Sequence, residues 1–183
     1  MTCGCRTALA GTCACCLRGS TPVCAQRSPA TIFAGYSNRF WKLLSDSSLT
    51  PRLLTYEDDV RLPSWRLGIS NLIARPSPGI DDLRPAEYVE GWRILKRKIR
   101  QHQPEVVALL GVTLFRAILP LLDDAPAPAK GKVIGAQPIA IHGARLFVLP
   151  NPSGRNANFS YSEMLRAFIE LRGFLENDRN RLR

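Results

Sequence analysis

Residues 144–159 read A-R-L-F-V-L-P-N-P-S-G-R-N-A-N-F, and this stretch decides the predicted fold. Its apolar run Leu146–Leu149 has the length and composition of a buried strand, which Pro150 ends because proline cannot donate a ladder hydrogen bond. The loop that follows, Asn151–Asn156, is rich in turn-forming residues. Open α/β sheets have their sites on loops at the carboxyl ends of strands. We therefore predict that Asn151–Asn156 is the functional loop, the alternative being an ordinary surface turn.

Predicted strands and helices alternate along the rest of the chain. A short buried strand is predicted over Leu67–Ile73, and the continuous apolar run Val106–Gly111 is typical of a strand that is covered on both faces. The clearest helix begins at Pro85, and the last helix begins at the capping box Ser160–Glu163. The alternation predicts an α/β fold over residues 33–183, a three-layer sandwich with a mainly parallel central sheet flanked by helices.

Residues 1–32 lack any helical or strand periodicity, and we predict that they form an irregular leader. All six cysteines of the chain lie in this segment. The spacings Cys3-x-Cys5 and Cys13-x-Cys15 admit a metal site, but the C-x-x-C spacing common in zinc sites is absent and no histidine accompanies them. We therefore expect no metal, no disulfide framework and no cofactor.

The formal charge of +10 at pH 7 predicts an anionic partner, and nucleic acid is the commonest one for a basic domain. One face of the helix that begins at Pro85 has Arg93, Lys96, Arg97 and Arg100; it is either solvated or in contact with phosphate. No run approaches the roughly 18 apolar residues of a membrane span. We expect a cytoplasmic monomer, associated with the nucleoid if the protein is bacterial, with no membrane partner.

Four motifs, taken together and in order, resemble the mismatch-specific uracil/thymine DNA glycosylases, a branch of the uracil-DNA glycosylase superfamily. They are F-A-G at 33–35 with N-R-F-W at 38–41, G-I-S-N-L at 68–72 with R-P at 75–76, the apolar run 106–111, and L-P-N-P-S-G at 149–154. The resemblance implies base-excision repair of double-stranded DNA. The implied reaction is hydrolysis of the N-glycosidic bond of uracil, or thymine, in G·U and G·T mismatches, without strand cleavage.

The resemblance also implies roles for single residues. Phe33 would stack on the flipped base, although it could instead pack in the core. Ser153 would hold a phosphate or cap the following turn. Arg155 occupies the position of the family's wedge residue, which is aliphatic in some relatives. The loop that enters the duplex would comprise Asn151, Pro152, Ser153, Gly154, Arg155 and Asn156.

The family's catalytic motif G-I-N-P-G, whose asparagine positions the attacking water, is missing from this chain. The aligned residues Gly19–Val23 read G-S-T-P-V, so Thr21 stands at the catalytic position. Residues Pro29–Phe33 stand where the family has T-G-H-H-F. Because Thr21 is shorter than asparagine, the polypeptide as written is predicted to be weakly active or inactive.

A reading frame displaced by one base would explain this departure. If the first two bases of each codon become the last two of the displaced codon, Gly19–Cys24 permit G-I-N-P-G-L and Pro29–Phe33 permit T-G-H-H-F. Cys13–Leu17 likewise permit L-R-V-L-F, a first strand. We hypothesise that residues 1–33 are the family's first motif translated out of frame, with one extra base at Ile32-Phe33. The alternative is a divergent paralogue with an unrelated N-terminus.

Two other functions are compatible with the sequence. A non-catalytic basic module of the same fold would bind DNA with strong salt dependence and release no base. An unrelated α/β enzyme would act on a nucleotide-like metabolite, although neither a G-x-G-x-x-G nor a P-loop pattern is present. Base release and DNA binding together distinguish the three hypotheses.

Overall fold

The computed structural model describes residues 33, 37–73, 84–122 and 133–176, and the backbone alone of 13–17 and 177–179. Five strands form one sheet in the order β2-β1-β3-β5-β4. They are β1 (Cys13–Leu17), β2 (Leu67–Asn71), β3 (Val106–Leu110), β4 (Gly135–Ile141) and β5 (Ala144–Leu149). The helices are α1 (Phe40–Asp46), α2 (Pro85–His102), α3 (Val112–Ile118) and α4 (Tyr161–Arg179), with 3₁₀ segments over Tyr56–Trp65 and Leu119–Leu121.

Helices cover both faces of the sheet. On one face α1 and α4 pack against β3 and β5, with Phe40 and Phe168 almost fully buried. On the other face α2 and α3 pack through Trp92 and Leu114. All five residues of β3 are buried, as expected for a strand between two helical layers. The predicted α/β class is confirmed.

The prediction of a mainly parallel sheet is wrong for the described strands. β3 and β5 are parallel, whereas β1 is antiparallel to both β2 and β3, and β4 is antiparallel to β5. The turn His142-Gly143, with φ values of 49° and 85°, joins β4 to β5, and a two-residue hairpin connects antiparallel strands only. The β1 sequence C-A-C-C-L has no polar alternation, so it does not select one strand direction.

β1 lies inside the predicted irregular leader. It pairs with β2 on one side and with β3 on the other. The interpretation of residues 1–32 as irregular is therefore wrong for Cys13–Leu17, the five residues for which the displaced frame permits the family's first strand. The remainder of the leader lies outside the described residues, and the domain boundary at residue 33 stays a prediction.

Local sequence signals begin the helices around the loop. At α1, the Phe40 N–H donates to Asn38 Oδ1 at 2.9 Å. At α4, the Ser160 N–H donates to Glu163 Oε2 at 2.7 Å and the Glu163 N–H donates to Ser160 Oγ at 3.3 Å, which is the predicted capping box. α2 begins at Pro85 as predicted. None of the helices in the described ranges combines the length and the apolar character needed to cross a bilayer.

Candidate functional site

The ends of four strands form a row along one edge of the sheet. The register aligns Asn71 with Cys13, Cys13 with Leu110, and Leu110 with Leu149. Since neighbouring strands lie about 4.8 Å apart, the row measures about 14 Å from Asn71 to Leu149. The Gly111 N–H donates to Leu149 O at 2.8 Å, so the turn from β3 into α3 lies beside the start of the predicted loop. Asn71 and the loop therefore lie at opposite ends of one edge.

Polar side chains of the loop Asn151–Asn156 fold its backbone. The Ser153 N–H donates to Asn151 Oδ1 at 3.0 Å, and the Arg155 N–H donates to Ser153 Oγ at 3.3 Å. Asn156 Nδ2 donates to Asn151 O at 2.8 Å and closes the loop. Turns of this kind satisfy backbone groups that a loop would otherwise leave to water. The loop conformation is therefore set before any ligand binds.

The loop packs against the segment that leads into α1. The Arg39 N–H donates to Pro152 O at 3.0 Å. At Gly154, an added Cβ would lie only 2.5 Å from both Cβ and O of Ser37, closer than real Cβ atoms come. Glycine is thus required at 154 by the close approach of two backbones. This contact joins the N-R-F-W and N-P-S-G motifs, which are far apart in the sequence.

A second contact joins α1 to α4 immediately after the loop. The Tyr161 hydroxyl donates to Asp46 Oδ2 at 2.6 Å, and Lys42 Nζ lies 2.5 Å from the same oxygen. Hydrogen bonds from Lys42 and Tyr161 lower the pKa of Asp46 below its ordinary value. Burial, followed by the contact with Asp46, raises the pKa of Tyr161. α1 therefore supports the loop at both of its ends.

Arg155 and Phe33 lie in different surroundings. Arg155 is exposed at the turn of the loop. Phe33 is half-buried with a φ of 59°, an unfavourable value for phenylalanine, and its ring stacks on Phe40 with centroids 4.1 Å apart. One face of the Phe33 ring therefore contacts the core. Its predicted contact with a flipped base stays a prediction.

Asn71 is a candidate that the sequence analysis missed as a functional residue. It is 6% exposed, and neither Oδ1 nor Nδ2 has a hydrogen-bond partner among the described residues. An unpaired buried polar group costs about 1–3 kcal/mol, and such a group calls for an explanation such as a missing ligand. The available signal was a polar residue at the end of a predicted apolar strand. Its neighbour Ser70 is also buried, but Ser70 Oγ accepts from Lys98 Nζ at 3.1 Å.

The profile of the uracil DNA glycosylase superfamily matches residues 15–172. The chain belongs to this superfamily. It is also similar to the G/U mismatch-specific uracil DNA glycosylase of Schizosaccharomyces pombe, with 40% identity over 131 residues. That alignment covers 70% of this chain and 40% of the yeast protein, so the chain spans less than half the length of this curated relative. The resemblance stated from the four motifs is confirmed.

The predicted catalytic position of this superfamily member, Thr21, lies outside the described residues. β1 ends at Leu17, which pairs with Leu67 and Val106 at the amino edge of the sheet, opposite the loop. A β1 parallel to β3 would end instead at the carboxyl edge, beside Leu110. β1 thus ends at the edge of the sheet opposite Asn71 and the loop.

Proposed function

We propose that this chain is a monofunctional DNA repair glycosylase, which hydrolyses the N-glycosidic bond of uracil in G·U mismatches and, as a second substrate, thymine in G·T mismatches. The observation that carries the proposal is the placement of a pre-formed loop with an exposed Arg155 and a buried, unpaired Asn71 at one sheet edge. The name of the yeast relative supports the choice of lesion. The enzyme would act as a monomer on duplex DNA in the cytoplasm.

The loop would open the duplex. A base inside the helix is inaccessible to chemistry at its C1′–N bond, so the nucleotide must leave the stack, at a cost of a few kcal/mol. Arg155 would enter the vacated space, where its guanidinium can donate to O6 and N7 of the guanine left behind. Because hydrogen bonds within the loop already fix its conformation, little conformational entropy is lost when the loop enters the duplex.

Asn71 would hold the extruded pyrimidine. Its amide offers one acceptor and one donor group, which complement the N3–H and an adjacent carbonyl oxygen of uracil. A donor to that oxygen also stabilises the negative charge on the departing base. Thymine presents the same two groups, so Asn71 favours pyrimidines of this type without distinguishing uracil from thymine.

Hydrolysis also requires a positioned water at the sugar carbon. In the polypeptide as written, Thr21 stands at the position of the family's water-positioning asparagine, so we propose that this form is weakly active. The frame-restored polypeptide, in which residues 1–33 are replaced by the translation of the displaced frame, would regain that asparagine.

A base-release assay tests the proposal. The frame-restored polypeptide should release uracil from a G·U duplex and thymine from a G·T duplex, and leave a fully paired duplex intact. Absence of release from every duplex would contradict the proposal. The second candidate function, a non-catalytic DNA-binding module, is favoured by the absence of G-I-N-P-G, and it predicts binding without release by both forms.

A further inference from the structure

A cavity of about 390 Å³ opens at the root of the loop, on the side of β5 and β4 rather than of Asn71. It includes Pro150 and Phe159, the residues that flank the loop at either end. The remaining apolar lining comes from Val112, Val133, Ile134 and Ala167, and the charged lining from Arg116, Glu163, Arg166 and Glu170. The cavity therefore lies between α3 and α4 at the same sheet edge as the loop.

Two arginines of this cavity form no salt bridge among the described residues, although the charge of Arg166 acts on Glu163, three residues before it on α4. Arg116 on α3 and Arg166 on α4 are exposed, and neither forms a salt bridge within the described part of the chain. Some arginines on other surfaces form salt bridges with carboxylates: Arg52 and Arg61 with Asp58, Arg66 with Glu105, and Arg93 with Glu90. Both cleft arginines are therefore exposed to an approaching anionic ligand.

The cleft also has two carboxylates, Glu163 and Glu170, which lie in different surroundings. Glu163 accepts from both Ser160 N–H and Ser160 Oγ, each at 2.7 Å, and these bonds, followed by the nearby charge of Arg166, lower the pKa of Glu163. Its charge therefore faces the N-terminus of its own helix, which favours a negative group. Glu170 lies about 6 Å further from the loop along α4 than Arg166, at 1.5 Å per residue.

We propose that this cleft is a second contact site for duplex DNA, in which Arg116 and Arg166 bind backbone phosphates beside the point that the loop enters. The inference rests on the proposed function, because it requires that duplex DNA binds at the loop. Such a duplex has one phosphate charge per roughly 1.7 Å of its axis, so a strand that passes the loop brings phosphates to the cleft. Phosphate contacts fix the register of a protein on DNA without reading sequence. The cleft would thus align the mismatch with Arg155 and Asn71.

The test measures DNA binding by the chain as written, on a fully paired duplex without uracil. The double variant Arg116→Ala/Arg166→Ala should weaken binding and flatten the plot of log K against log salt by about 0.9 for each phosphate that the variant no longer neutralises. Arg116→Lys/Arg166→Lys should retain most of the slope, because lysine also binds phosphate as a point charge. The control variant Arg52→Ala/Arg61→Ala also removes two positive charges, one within the 3₁₀ segment Tyr56–Trp65 and one shortly before it. It should leave the slope of log K against log salt unchanged.

Equal slopes for the cleft variant and the control would overturn the proposal, as would a flattening in the lysine variant equal to that of the alanine variant. Thermal unfolding of each variant checks that the fold is intact. Because the assay needs no base release, its outcome is separable from the proposed activity. If the alanine variant of the cleft has a shallower slope but the frame-restored form releases no base, the cleft proposal is supported and the glycosylase proposal is contradicted. If the frame-restored form releases base but the slope of the cleft variant is unchanged, the glycosylase proposal is supported and the cleft proposal is contradicted.

Discussion

β5 and β1 end at opposite edges of the sheet. β5 ends at Leu149 on the carboxyl edge, where α1 and α4 hold the loop from both sides. β1 lies inside the same sheet, between β2 and β3, yet it ends at Leu17 on the amino edge. A strand that ends at the carboxyl edge brings the residues after it directly to the side of the sheet where the loop lies. The comparison teaches that strand direction, and not only strand position, decides whether a motif reaches the chemistry.

We expect the largest change in activity from restoring the displaced reading frame. The frame-restored polypeptide should release uracil from a G·U duplex at least about 100-fold faster than the chain as written, since misplacing a reacting group costs about this much. Single-turnover release by both forms gives the ratio.

Two further results check that prediction. Replacing the restored asparagine by alanine should remove most of the gain, which controls for a general effect on folding. The nucleotide sequence should spell the motif in the neighbouring frame across the codons of residues 13–33. Equal rates for the two forms, or codons that do not spell the motif, would contradict the frame hypothesis.

Asn71 tests the opposite end of the same edge. In the frame-restored form, Asn71→Ala should lower kcat/KM for G·U by about ten- to a hundred-fold, the equivalent of about 1–3 kcal/mol for the missing hydrogen bonds to the base. The free energy of unfolding should not fall in parallel, because the amide has no partner among the described residues. Release kinetics and urea unfolding measure the two quantities.

The exposed Asn158 supplies a matched control for that substitution. Asn158→Ala should change neither release nor stability. If Asn71→Ala destabilised the protein and lowered activity only to the extent that it unfolds, Asn71 would be a structural residue.

The loop side of the site was predictable because its signals are local. The run Leu146–Leu149, the stop at Pro150 and the capping box Ser160–Glu163 each act over a few residues, and each lies in the structure where the sequence places it. Pairing between strands is not local. The burial of Asn71 depends on elements packed against β2, and the direction of β1 depends on how it pairs with β2 and β3. Neither could therefore be obtained from a short window of sequence.

Gly154 tests the contact between the loop and α1. Gly154→Ala places a Cβ against Ser37, and overpacking of this kind costs about 1–3 kcal/mol. We expect a lower free energy of unfolding and weaker binding to a G·U duplex, because the loop must shift. Urea unfolding and a binding titration measure the two effects.

Gly173 in α4 is the matched control, since nothing lies within 4 Å of an added Cβ there. Gly173→Ala should stabilise the protein by about 0.5–1 kcal/mol, because alanine is the better helix former. A Gly154→Ala variant as stable as the wild type would show that the loop can move away from Ser37 without cost.

The contact of Tyr161 with Asp46 should give the smallest effect. Tyr161→Phe removes one hydrogen bond at a partly exposed carboxylate, and we expect a slight loss of stability at neutral pH and no more than a few-fold loss of DNA affinity. The pKa of Asp46 is lowered in the folded protein, so its pairing stabilises the fold above the ordinary carboxyl pKa of 3.8 and is lost as the pH falls through the lower folded value. The difference in thermal stability between wild type and Tyr161→Phe should therefore shrink on acidification. A difference that stays constant from neutral pH to below pH 3.8 would mean that the hydroxyl acts through packing alone and not through the charged carboxylate.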